Sequence, residues 1–230
     1  VDRSNKLHDP RYAGHQVAVP FPELAWLQAA TSLLNNGMAI DEMGPASSPM
    51  EEAVMRSIAH FMGLGPDANG VLCHGGTLAN LTALLAARQR RYPGNAWRDG
   101  TSKPCALLVS DQAHYCVARA AQVMGWGEAG ILKVATNDQH QMDSEALVQV
   151  FQEAKNRGVE VLAIVGSACT TSSGSFDDLE MMANFSEQHG LWFHVDGAHG
   201  AAQIFSKTHS MVLKGMERAD SIAMDFHKML

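Results

Sequence analysis

Two residues in this sequence are best suited to chemistry. One is Lys228, in Asp225-Phe226-His227-Lys228; the other is Asp196, which closes the apolar run in His194-Val195-Asp196-Gly197-Ala198. A lysine amine forms a Schiff base with an aldehyde, and an aspartate keeps a pyridine nitrogen protonated. Together they are the two protein groups that pyridoxal phosphate (PLP) chemistry most needs. Each has a plainer reading alone: the lysine as a solvated surface charge, the aspartate as a turn or helix cap.

Other residues sharpen the choice. Gly75-Gly76-Thr77 precedes a strong helical stretch. Two glycines allow close backbone approach, and a helix start offers unpaired amides and a positive dipole end to an anion; the plainer alternative is a turn with Thr77 as cap. His114 follows Ser110-Asp111-Gln112-Ala113, where a flat imidazole suits stacking on a planar ligand, although a single histidine is more commonly a core residue. Ser167 to Ser175 is rich in hydroxyls that suit either a ligand or the loop backbone. A rival from another class reads His194, Asp196 and His199 as metal ligands of a hydrolase, with His194 and Asp196 on one strand face. That reading leaves Lys228 and the Gly-Gly-Thr turn unexplained and finds no second ligand cluster, so no metal is expected. Gly125 to Gly130 spells G-x-G-x-x-G, but it follows a helix and precedes a strand, the reverse of a dinucleotide site. Walker A, H-E-x-x-H and G-x-S-x-G motifs are absent.

Positioning such groups requires a scaffold. Apolar runs at 71–73, 106–109, 131–134, 159–165, 191–195 and 221–224 alternate with helical stretches at 78–90, 115–124, 144–156 and 177–189. Unbroken apolar strands between helices predict a mostly parallel sheet flanked by helices. Ligands of such sheets gather at the carboxyl ends of the strands, where Gly75-Gly76-Thr77, His114 and Asp196 are all expected. Ahead of the alternation the sequence reads as helical. Residues 21–35 carry apolar residues at helical spacing, and Ser48-Pro49-Met50-Glu51-Glu52 predicts a helix start with Ser48 as cap, running to about Met62. The expected division is a helical segment at 1–62 and a large domain at 63–230.

Composition excludes several classes. The chain has 230 residues, enough for one large domain, and a net charge of −7 without a basic stripe, which speaks against nucleic acid. Arg88, Arg90 and Arg91 cluster at a helix end, where they suit the dipole. No window approaches about 18 uninterrupted apolar residues, so no membrane span is expected. Cys73, Cys105, Cys116 and Cys169 are widely spaced without a Cys-x-x-Cys pair, which points to reduced thiols and a cytoplasmic protein. Asn80-Leu81-Thr82 and Asn184-Phe185-Ser186 match the glycosylation triplet but fall inside expected helices.

Taken in order, Gly75-Gly76-Thr77-Leu78-Ala79-Asn80-Leu81, Ser110-Asp111-Gln112-Ala113-His114, Ser175-Phe176-Asp177-Asp178-Leu179, His194-Val195-Asp196 and Ala219-Asp220-Ser221 with His227-Lys228 resemble the group II PLP-dependent amino-acid decarboxylases. These include the aromatic-amino-acid, glutamate, cysteine-sulfinate and diaminobutyrate enzymes. The resemblance implies an α/β architecture of PLP fold type I, aspartate-aminotransferase-like, and a homodimer. It implies that Lys228 carries the Schiff base, Asp196 pairs with the pyridine nitrogen and Ala198 packs against the ring. His114 then stacks on the ring, Gly76 and Thr77 bind the phosphate, Thr171 contacts the cofactor and His227 adjoins the Schiff base. Asp225 stands where some relatives have asparagine, and an acid there is a poor phosphate ligand. Leu78 and Gly197 also depart from the family pattern without removing a needed group. The implied reaction is decarboxylation of an L-amino acid to the amine and CO2. Aminotransferases and carbon–carbon lyases, which share the constellation, are the runner-up class. Leu33 to Pro45 is most reminiscent of the diaminobutyrate branch. The family's small C-terminal domain and substrate-carboxylate arginine lie beyond Lys228, so these 230 residues alone are expected to turn over substrate poorly.

Overall fold

The computed structural model describes residues 4–12 and 14–229. The chain divides into two compact units, Val1–Leu72 with Phe226–Leu230, and Cys73–Asp225.

The first unit carries α1 (Glu23–Leu34) and α2 (Ser47–Phe61). α1 has no buried residue, although Trp26 and Leu33 are 81% and 87% exposed apolar side chains. α2 starts earlier than Ser48 predicts, because Ser48 N–H already donates to Gly44 C=O at 3.0 Å; its cap position is Ala46, which makes no side-chain bond. The run at 71–73 is not a strand. Val71 and Leu72 are exposed, and Leu72 N–H donates to the Glu51 carboxylate at 2.6 Å instead of to a neighbouring strand.

The second unit is built on five strands: β1 (Cys105–Ser110), β2 (Ile131–Val134), β3 (Glu160–Ser167), β4 (Trp192–Asp196) and β5 (Ser221–Ala223). All pair in parallel, in the order β2-β1-β3-β4-β5. Leu107 sits opposite Ile131 on one side, and His194 opposite Val165 and Ser221. The inner strands lie in the core: every residue of β1 is buried, and Ala163, Ile164 and Val165 of β3 are 0% exposed. Continuous apolar runs are what a sheet covered on both faces requires.

The covering helices are α3 (Gly76–Arg91), the single turn α4 (Ala96–Asp99), α5 (Tyr115–Val123), α6 (Ser144–Asn156) and α7 (Leu179–His189). α6 and α7 have aspartate caps: Asp143 accepts from Ala146 N–H at 2.8 Å and Asp178 from Met181 N–H at 2.9 Å. α7 stops at Gly190, whose φ of +67° suits glycine. Leu84 and Ala87 of α3, with Cys116, Val117, Ala120 and Ala121 of α5, pack on Leu107, Val109, Ala163 and Val165. Among the described residues, no helix is long and apolar enough to cross a membrane.

Candidate functional site

Because the strands are parallel, their carboxyl ends share one edge. Strand order reverses direction between β1 and β3, the place where such sheets open a ligand crevice. The segments leaving the two strands meet there: Ser172 Oγ donates to Gln112 Oε1 at 2.9 Å.

His114 leaves β1 as the cap of α5. Its Nδ1 accepts from Cys116 N–H at 3.3 Å, which places the neutral ring's proton on Nε2. The ring centroid lies 4.2 Å from that of Tyr115. Asp196 is the last residue of β4. Its Oδ1 accepts from Ala198 N–H at 3.2 Å, and its Oδ2 faces Cys116 Sγ at 3.9 Å. The start of α5 and the end of β4 are therefore tied together at the aspartate.

α3 begins at Gly76, after Gly75 at φ +82°. Leu78 and Ala79 N–H donate to Gly75 C=O, so Gly76 and Thr77 carry the amides that the helix itself does not satisfy. A Cβ on Gly76 would lie 3.3 Å from Ala198 Cβ and 3.2 Å from Asp225 Oδ2. The glycine thus allows the helix start, the Ala198 turn and Asp225 to close on one point. Asp225 is 8% exposed and its N–H donates to Ala198 C=O at 3.2 Å. It forms a wall of the site, since two anions repel and a carboxylate cannot donate to a phosphate.

This set fits a phosphorylated pyridine. It offers helix-start amides for the phosphate, a carboxylate at a strand end for the ring nitrogen and an imidazole for the ring face. Thr171 lies exposed in the turn after β3; the buried hydroxyl there belongs to Thr170, whose Oγ1 meets Ser173 Oγ at 2.7 Å and Ser175 Oγ at 3.0 Å. His227 and Lys228 follow Asp225 after Phe226 and belong to the first unit, with Lys228 half-buried.

The metal-ligand reading of His194, Asp196 and His199 does not hold. His194 is 0% exposed and both ring nitrogens are engaged: Nε2 with Asn80 Oδ1 at 2.8 Å, Nδ1 with Ser221 Oγ at 2.9 Å. Burial pushes its pKa below the usual value, only partly opposed by Asp196. Among the described residues, no cluster of His, Cys, Asp and Glu could hold a metal.

Several working residues escaped sequence reasoning. Asp177 is 2% exposed and accepts from Met142 N–H at 2.7 Å and Ser167 N–H at 2.8 Å, bracing the end of β3. Burial raises its pKa, partly offset by those two bonds. Asn80 and Ser221 were visible only as members of motifs, and Cys116 only as one of four spaced cysteines; what each touches lies up to 114 residues away in sequence.

Residues 24–230 match the family described as pyridoxal-dependent decarboxylase conserved domain. The chain is 36% identical over 199 residues to an L-aspartate decarboxylase of Metarhizium robertsii, covering 86% of this chain and 40% of that protein. It is 31% identical to the L-2,4-diaminobutyrate decarboxylase of Acinetobacter baumannii, covering 99% and 48%. The crystal structure of mouse CSAD superposes with a TM-score of 0.93 at 32% identity, covering 98% of this chain and 47% of that one. The chain thus spans less than half the length of these relatives. With the ordered motifs, the parallel sheet and the strand-end site all in agreement with these matches, the chain belongs to the pyridoxal-dependent decarboxylase family.

Proposed function

We propose that this protein uses PLP to decarboxylate an L-amino acid to the corresponding amine and CO2. The observation that carries this reading is Asp196 at the end of β4, held from two sides by Ala198 N–H and Cys116 Sγ, with His114 and the α3 start on the same unit. The chemistry PLP supplies when bound is an electron sink for the carbon that loses CO2.

The protein's own groups divide the remaining work. The amides of Gly76 and Thr77 bind the phosphate, aided by the α3 dipole. The Asp196 carboxylate accepts the pyridine N–H and so keeps the proton on the ring nitrogen. Ala198 and the imidazole of His114 would pack against the ring. The hydroxyl side at the end of β3 is contributed by Thr171 or its buried neighbour Thr170. Lys228 would supply the amine that holds the cofactor, and His227 would adjoin it.

The relatives carry different substrate names, so the amino acid is to be found by assay across aspartate, cysteine sulfinate and 2,4-diaminobutyrate. A homodimer in the cytoplasm completes the proposal. Family membership, the exposed apolar side chains of α1 and the lack of any disulfide among the four cysteines support it.

The test is covalent. The purified protein should absorb in the visible, and borohydride should fix the cofactor on Lys228, as read by peptide mapping. Lys228→Ala should lose both signals and CO2 release. Fixation on another lysine would overturn the assignment. Activity abolished by a chelator and restored by zinc would overturn the PLP reading itself.

A further inference from the structure

The start of α3 has little to hold it in place. Gly75 makes no side-chain cap bond, and neither Gly75 nor Gly76 has a side chain to pack. Two adjacent glycines would leave such a turn loose. One turn later stands Asn80, 0% exposed, whose Nδ2 donates to Gly76 C=O at 2.8 Å.

That bond fixes the direction of the one behind it. With Nδ2 committed to Gly76, the Asn80 atom facing His194 is Oδ1, which only accepts, so His194 Nε2 carries the ring proton. The other ring nitrogen, Nδ1, lies against Ser221, 3.1 Å from its backbone C=O. It faces Ser221 Oγ at 2.9 Å, and Ser221 Oγ in turn accepts from Trp192 Nε1 at 2.7 Å. The contacts run without a break from Trp192 through Ser221, His194 and Asn80 to Gly76. They cross from β5 and β4 to the first residue of α3. His194 lies two residues before Asp196 on the same strand.

We propose that Asn80, His194 and Ser221 are positioning residues that hold the first turn of α3 at a set distance from Asp196. They thereby match the spacing of the phosphate-binding amides and the ring-nitrogen partner to one molecule of PLP. The proposal rests on the PLP reading above. An apolar pair at positions 80 and 194 would fill the same space, and replacing both members of a buried hydrogen bond costs little stability. What it would lose is the tie to Gly76, and with it the preorganisation of the site.

Ratios of affinity test this without reading turnover. Protein stripped of cofactor is titrated with PLP and with pyridoxal, which lacks the phosphate, by absorbance and protein fluorescence. The parent protein should prefer PLP strongly. Asn80→Ala and His194→Leu should weaken PLP about tenfold or more, the order of one hydrogen bond to a charged group, while pyridoxal changes less than about twofold. His194→Gln keeps an N–H near the position of Nε2 and should retain most of the preference. Ser221→Ala leaves the Asn80–Gly76 bond in place, should fold readily and should lose about threefold for PLP alone. Equal losses for both ligands across these variants, or a His194→Gln as impaired as His194→Leu, would overturn the positioning role and leave the PLP reading standing. A parent protein that binds PLP no better than pyridoxal would overturn both.

Discussion

α1 and α3 show how little a helix's own apolarity decides its burial. α1 carries Leu24, Trp26, Leu27, Leu33 and Leu34, and every one of them is exposed. α3 carries Thr77, Asn80, Thr82 and three arginines, yet it buries Asn80, Leu84 and Ala87. The spacing of those three, at four and three residues, lays one stripe along the helix. That stripe meets β3, β4 and β5. The difference lies in the facing surface: α3 has a sheet whose outward side chains complete its stripe, and α1 has no such face among the described residues of its unit. A polar residue is then buried and a tryptophan is not, because each follows its partner.

Substitutions at matched positions should widen or close this gap. Leu84→Ala removes a 0% exposed side chain from the α3 stripe and should cost about 2–5 kcal/mol of unfolding free energy, read from denaturant melts. A cost near that of an α1 substitution would show that the stripe is loosely packed. Asp177→Ala should cost about 1–3 kcal/mol, because the buried N–H groups of Met142 and Ser167 lose their acceptor. Asp177→Asn should recover only part, since an amide offers one oxygen to two donors.

His194 gives a pH signature. Burial lowers its folded-state pKa, so the folded protein keeps the ring neutral while the unfolded chain takes a proton below about 6.5. Its contribution is therefore present above about pH 6.5 and is lost as pH falls toward the depressed folded value. Over that window the parent should lose up to about 1.4 kcal/mol per pH unit relative to His194→Gln. Parallel pH curves for the two proteins would refute a neutral buried imidazole. The smallest effect belongs to α1: Leu33→Ala should change unfolding by less than about 0.5 kcal/mol at this exposed position. If α1 is covered by a second copy, Trp26→Asp with Leu33→Asp should instead lower the mass seen by light scattering.

The sheet was legible because its strands are unbroken apolar runs, and five of the six expected runs form strands. The sixth, at 71–73, failed because composition does not show whether a neighbouring strand exists; Glu51 takes the Leu72 N–H instead. The strand-end residues Asp196 and His114 were legible for the same reason as the sheet, since each follows a strand that could be recognised. His194 entered only through the rejected metal-ligand rival, and its actual partner was not legible. Alternation shows which face of β4 it occupies but not that Asn80 waits on that face. Asn80 gave one usable signal: an amide at the position that, with Leu84 and Ala87, completes the buried stripe of a helix.

The chain of contacts from Trp192 to Gly76 also limits how this sequence can change by inheritance. Removing any one member leaves a neighbour's buried polar atom facing carbon. Single steps away from Asn80 or His194 therefore pass through a disfavoured intermediate, whereas a paired change need not. Across descendants of this chain, positions 80, 194 and 221 should change together or stay as they are, while Thr82 and Leu78 on the same helix drift independently.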